Sequence, residues 1–136
     1  MRRPIRSIAL LATTLAAGGF GGAAAFHLHL EKSEPADKAA LAKAPAELKL
    51  WFSEPAEVAL TKLTLTRDLT RGKDTIAVAK PSQASATDAP IVAKITGAVA
   101  AGTYTVGWRT MGKDGHAVTG TFGFTLRAAA TSQDQR

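Results

Sequence analysis

Alternating apolar and polar positions recur along the chain after its first 26 residues. In ELKLWFS (47–53), Leu48, Leu50 and Phe52 occupy one face, whereas Trp51 occupies the other. Successive side chains of a strand point to opposite faces of a sheet, so this period of two predicts a half-buried β-strand. Further strand candidates lie at 27–33, 58–67, 74–79, 91–95, 102–110 and 116–126.

Three segments depart from simple alternation. Within 58–67 the apolar phase changes between Leu60 and Leu63, which predicts a bulge or a bend. The connector at 35–47 favours one helical turn around Lys38–Leu41, ended by Pro45. The polar stretch KPSQASATDAP at 80–90 reads as a loop.

The last two candidates form the clearest pair. Apolar residues of the first share one face, and so do those of the second. Between them MGKDG supplies the glycine and aspartate typical of turns, which predicts a β-hairpin with a connection of about five residues. The aromatic and apolar side chains expected in the core are Tyr104, Val106, Trp108, Phe122, Phe124 and Leu126.

About seven short strands over roughly 100 residues favour an antiparallel β-sandwich. The chain has no cysteine, which excludes disulfides, zinc–thiolate sites, thiol catalysis and a blue-copper thiolate ligand. A sandwich of this length offers one modest core.

The first 26 residues resemble a secretory signal peptide. Arg2, Arg3 and Arg6 precede an apolar run at 8–17, and small residues lead to Ala25. The alternative is an uncleaved membrane anchor, although the run is short for a span of about 20 residues. We expect cleavage after Ala25 or Phe26, and a mature domain at 27–127 without a membrane span. A flexible tail follows at 128–136, and the expected location is the bacterial periplasm.

Removal of the signal peptide lowers the net positive charge of the chain. The formal charge of +6 falls to about +3 once the three arginines are gone. The remaining Lys and Arg residues are scattered and lack aromatic neighbours in any regular pattern. We therefore expect no nucleic-acid partner.

The three histidines fall in two places. His27 and His29 are two apart, so in a strand both rings face away from Leu28. His116 lies two residues after Asp114, at the end of the predicted hairpin turn. Taken singly, each group is compatible with an ordinary surface or turn role.

Taken together, these residues predict a metal site. Cu(II) prefers tetragonal sites of nitrogen and oxygen ligands. If the mature chain begins at His27, its amine and ring nitrogen chelate one ion, His116 adds a third nitrogen and Asp114 an oxygen. Such an arrangement is a histidine brace.

Three segments carry a family resemblance, namely HLHLEKSEPADKAAL, APAELKLWFSEPAE and AGTYTVGWRTMGKDGHAVTGTFGFTL. They resemble the CopC/YobA family of periplasmic copper-binding proteins over residues 27 to about 127. The resemblance implies a cupredoxin-like or immunoglobulin-like Greek-key β-sandwich. It also implies one Cu(II) per chain and a role in copper resistance, homeostasis or delivery. The implied ligands are His27, Asp114 and His116, with His29 as a further candidate or a neighbour of the ligands.

Three departures from the family pattern matter. Phe26 precedes His27, and a brace needs His27 at the terminus; a terminal His27 also opens a competing chelate of amine, Leu28 amide and His29. The serine expected before the Asp-Gly-His stretch is Gly112. Thioether sulfur is the soft ligand that Cu(I) favours, and the mature chain retains only Met111, so we expect a Cu(II) site alone.

The sequence leaves three functions in competition. A copper carrier or buffer, which is not an enzyme, needs little beyond the exposed site. A separate inner-membrane copper transporter or another copper protein is its expected partner. A brace-type copper oxygenase needs a substrate platform for which the chain is short. A metal-independent sandwich module needs no histidine at all, since fold does not fix function.

Overall fold

Nine β-strands form two sheets in the part of the chain that the structure describes, residues 27–86 and 88–129 of a computed structural model. The predicted signal peptide and all but the start of the predicted tail lie outside these residues. Within them, no helix is long and apolar enough to span a bilayer. The strands are β1 (Leu30–Glu34), β2 (Ala39–Leu41), β3 (Glu47–Phe52), β4 (Lys62–Asp68), β5 (Lys73–Ile76), β6 (Ser82–Gln83), β7 (Ile91–Lys94), β8 (Gly102–Met111) and β9 (Ala117–Leu126).

The two sheets confirm the predicted β-sandwich. One has the order β1-β3-β7-β6 and the other the order β2-β9-β8-β4-β5. Most neighbours in a sheet are not consecutive in the chain, because connections cross between the layers, as in Greek-key sandwiches. The structure has two strands more than the expected seven. The additional strands are β2 and β6, which contain only three and two residues.

The core lies between the sheets and is built from the alternating positions. Leu48 and Leu50 of β3 are fully buried, as are Tyr104 and Val106 of β8. The Tyr104 and Phe124 rings stack with centroids 5.1 Å apart. Trp108 and Phe122 are also buried, so every aromatic residue of the predicted hairpin is in the core, as expected.

The helical turn predicted around Lys38–Leu41 is wrong. Residues Ala39–Leu41 instead form β2, which runs parallel to β9. Lys38 has a positive φ of 64°, and its N–H donates to the Gly123 carbonyl at 2.6 Å. The Asp37 carboxylate accepts the Gly123 N–H at 3.0 Å. The open edge of β9 therefore supplies hydrogen-bond partners that outweigh the helix propensity of the alanines.

The phase change between Leu60 and Leu63 is a bend rather than a bulge. A single 3₁₀ turn spans Val58–Leu60 and leaves Leu60 exposed. Strand β4 starts after it and buries Leu63. The loop predicted at 80–90 is also partly extended, because Ser82–Gln83 pairs with β7.

Candidate metal centre

The connection between β8 and β9 is a tight turn of five residues, Gly112 to His116. The Gly112 N–H donates to the His116 carbonyl, and the Gly115 N–H donates to the Gly112 carbonyl, both at 3.0 Å. Gly115 has a φ of 82°, a conformation that glycine adopts without steric cost. The turn thus confirms the predicted connection and holds Asp114 and His116 at the end of the sandwich.

Asp114 and His116 are already paired in this turn. The Asp114 Oδ1 accepts the His116 backbone N–H at 3.0 Å. The Asp114 Oδ2 lies 2.9 Å from the His116 Nδ1. With the proton on Nδ1, the Nε2 lone pair of this exposed ring is left for a metal ion.

These bonds also affect the Asp114 carboxyl. Hydrogen bonds from the His116 backbone and then from its side chain lower the pKa of Asp114 below its ordinary value of 3.8. Hydrogen bonding to the charged form is the cause, since the residue is exposed. The group is therefore an anion throughout the range in which imidazoles titrate.

The N-terminal segment places its histidines on the exposed side. Leu28 is only 5% exposed, whereas His27 and His29 are exposed. Leu30 is half-buried and packs against the core. The rings therefore point away from the leucines, as the alternation predicts.

Leu28 packs beside the hairpin turn. A Cβ added to Gly112 would lie 3.9 Å from the Leu28 Cβ and 2.8 Å from the Asp114 Oδ1. The first distance is an ordinary van der Waals contact, so the N-terminal segment lies next to the turn. His27 is the residue that immediately precedes this contact. The second distance shows that a side chain at Gly112 would displace the Asp114 carboxylate.

The segment Ser53–Glu57 joins the two parts of this centre. Ser53 exchanges hydrogen bonds with His29 at 2.9 and 3.0 Å. Ala56 forms an antiparallel bridge with Gly112, and the Glu57 N–H donates to the Met111 carbonyl at 2.8 Å. Sequence reasoning missed this connection. Its only signal was a serine at the end of an alternating strand, two residues before Pro55.

The structure brings the candidate residues into one region, but their donor atoms do not converge on a single metal position. Asp114 and His116 touch, and His29 Nδ1 lies 3.1 Å from the His27 carbonyl oxygen. Among residues 27–86 and 88–129, no group of three or more His, Asp or Glu side chains could hold a metal ion as it stands. The imidazole and carboxylate donors nevertheless fit the nitrogen and oxygen preference of Cu(II).

The two tryptophans lie outside this centre. Trp108 is buried and meets Phe52 edge-on, with ring centroids 5.2 Å apart. Trp51 is half-buried on the outer face, where the Lys32 ammonium lies 4.3 Å from its ring centroid. Lys32 is the cross-strand partner of Trp51, and a cation at this distance from an aromatic face is attracted to it.

The CopC domain pattern matches residues 30–127, which include every strand of the sandwich. The chain belongs to the CopC family. No curated protein matches this CopC-family chain. Its solved relatives include PcoC from Escherichia coli, described as a methionine-rich copper resistance protein, at 30% sequence identity and a TM-score of 0.65. That match covers 74% of this chain and 99% of PcoC.

CopC from Methylosinus trichosporium OB3b shares the fold. The TM-score is 0.66 at 24% identity, over 75% of this chain and 95% of that one. PcoC is described as methionine-rich, whereas this CopC-family chain has two methionines, Met1 and Met111. The two proteins therefore differ in their supply of thioether sulfur.

Proposed function

We propose that this protein is an exported, periplasmic Cu(II)-binding protein that acts in copper resistance, buffering or delivery. Membership of the CopC family and similarity to a copper resistance protein support copper as its cargo. The exposed Asp114–His116 pair and the exposed His27 support a site at one end of the sandwich.

The proposed ligands are the His27 amine and ring, the His116 Nε2 and an Asp114 oxygen. In the structure Asp114 bonds to the His116 Nδ1, on the opposite side of the ring from Nε2. Ligation by Asp114 therefore requires its carboxylate to turn towards the ion. Both side chains are more than half exposed, so no packing opposes this rotation.

One observation carries the proposal: Leu28 is buried beside Gly112. This contact sets the start of the proposed mature chain next to the hairpin turn, although Leu28 and Gly112 are 84 positions apart in the sequence. A site that unites a terminal amine with Asp114 and His116 needs this proximity. Closing it takes movement of His27 and two exposed side chains, not of the sandwich.

The proposed ion is Cu(II), one per chain. Nitrogen and carboxylate ligands suit Cu(II), whereas Cu(I) prefers thioether and thiolate sulfur. The chain has no cysteine, and Met111 is the one methionine after the proposed signal peptide. Transfer of the ion to an inner-membrane transporter or another copper protein would complete the delivery function.

The test compares Cu(II) dissociation constants, measured by competition with a chelator, for chains that begin at His27. Loss of a residue that merely supports a ligand costs about 10- to 100-fold in metal affinity. His116 is proposed to bind the ion directly, so His116→Ala should weaken Cu(II) binding by more than about 100-fold. His29→Ala is the matched control, because it removes a neighbouring exposed imidazole that is not among the proposed ligands, and we expect a much smaller loss of affinity. Unchanged affinity in His116→Ala would contradict the proposal.

Processing is tested separately by the intact mass of the exported protein. The expected mass is that of residues 27–136, because a free amine on His27 is part of the proposed site. A mass that includes Phe26 would remove the amine of His27 from the ligand set.

A further inference from the structure

His29 is held at its backbone by Ser53. The His29 N–H donates to the Ser53 Oγ at 3.0 Å, and the Ser53 N–H donates to the His29 carbonyl at 2.9 Å. Leu30 pairs with Phe52 in the sheet, so this exchange continues the β1–β3 ladder by one position. The Ser53 hydroxyl accepts the His29 N–H there, in place of the backbone carbonyl that would accept it in a regular ladder.

A chain that begins His-Leu-His offers Cu(II) a second way to bind. The amine of His27, the amide nitrogens of Leu28 and His29, and the His29 Nδ1 can surround the ion as a square of four nitrogens. Cu(II) favours such tetragonal geometry. Each amide nitrogen loses its proton to solvent when it binds the ion. This chelate competes with the proposed site because both use the same amine.

The folded protein opposes this chelate at three points. The His29 amide already donates to Ser53, and the His29 Nδ1 faces the His27 carbonyl at 3.1 Å. Leu28 is buried, and its side chain would have to leave its place beside Gly112 for the backbone to wrap around the ion. All three interactions must be given up together before four nitrogens can meet.

We infer that Ser53 determines which site copper occupies, as a positioning residue that does not touch the ion. By keeping the His29 amide in the ladder, Ser53 directs Cu(II) to His27, Asp114 and His116. The inference rests on the proposed function, since it concerns the choice between two sites that share the His27 amine.

The test is Ser53→Ala in a chain that begins at His27, loaded with one equivalent of Cu(II). Deprotonated amide nitrogens impose a strong ligand field, so the four-nitrogen form absorbs visible light at shorter wavelength than the proposed site. A net hydrogen bond is worth about a factor of three to ten in an equilibrium, so the ratio of chelate to proposed site should rise by about that factor. Ni(II) gives a second readout, because the chelate makes it square-planar and diamagnetic.

Two further variants serve as controls. Ser82→Ala changes an exposed serine in β6, and its spectrum should match that of the wild type. Ser53→Ala combined with His29→Ala removes the fourth nitrogen, and it should restore the wild-type spectrum. Near-UV circular dichroism reports whether each variant keeps the native packing.

The outcomes separate the two proposals. If His116→Ala weakens copper binding while folded Ser53→Ala keeps the wild-type spectrum, Ser53 is not a determinant and only this inference fails. Should Ser53→Ala not fold, Ser53→Val, which also lacks the hydroxyl, takes its place with the same expected and contradicting results. His29→Ala should keep the wild-type spectrum, and a shift in that variant would overturn the inference, because it would show that His29 already binds the ion. Insensitivity of copper affinity to His116→Ala would instead overturn the proposed function.

Discussion

His116 differs from the other two histidines in facing a carboxylate. Its Nδ1 lies 2.9 Å from Asp114, whereas the His29 Nδ1 lies near the His27 carbonyl. Before the ion binds, a carboxylate behind the imidazole fixes the ring orientation and leaves the other nitrogen to the ion; the proposed ligation by Asp114 then needs its carboxylate to turn. The pairing of Asp114 with His116 follows from their spacing in a turn, and the sequence alone suggested both residues. The need for a glycine at position 112 could not be predicted. It depends on the clash between a Cβ at this position and the Asp114 carboxylate, which only the folded turn reveals.

Copper affinity should fall on acidification. Hydrogen bonds from His116 lower the pKa of Asp114, so its carboxylate loses its charge at a lower pH than an ordinary aspartate does. Free imidazoles take up protons near pH 6.5 and terminal amines near pH 7.7–8.0, and protons on these nitrogens compete with the ion. We therefore expect Cu(II) affinity to drop by more than about 100-fold from pH 8 to pH 5. A competition titration at each pH checks this, and a flat profile would exclude nitrogen ligation.

Among the secondary-structure elements, the β8–β9 hairpin shows how far alternation predicts structure. Its two strands of ten residues pair along their whole length and bury the apolar face that the sequence indicates. The short β2 and β6 were not predictable from the sequence, because three and two residues carry no period. Their backbone conformation is set by open edges of β9 and β7, which are distant in sequence.

Gly120→Ala should destabilise this hairpin. An added Cβ would overlap the Trp108 ring, which cannot move freely because Phe52 packs edge-on against it. Overpacking of this kind typically costs about 1–3 kcal/mol in the free energy of unfolding. Urea denaturation measures the loss, and Thr121→Ala, an exposed neighbour, should change stability by less than about 0.5 kcal/mol. Equal effects of the two substitutions would contradict this packing account.

On the scale of the whole molecule, the sandwich brings distant segments together at one end. The N-terminal segment, the Ser53–Glu57 segment and the hairpin turn meet there. The N-terminal segment and the hairpin turn were predictable as parts of the site, because all three histidines of the chain lie in them. The Ser53–Glu57 segment was not, since Ser53 acts through a hydrogen bond between residues 24 positions apart. Sequence reasoning thus suggested the candidate ligands, and the fold added the hydrogen bonds between Ser53 and the backbone of His29.

In the proposed site, one Cu(II) ion is bound by both the N-terminus and the hairpin turn. Pulsed electron paramagnetic resonance of the copper-loaded chain that begins at His27 counts the imidazoles bound to the ion. We expect two imidazoles, from His27 and His116, in the wild type and a single imidazole in His116→Ala. A wild-type spectrum with one imidazole, or one that His116→Ala leaves unchanged, would contradict it.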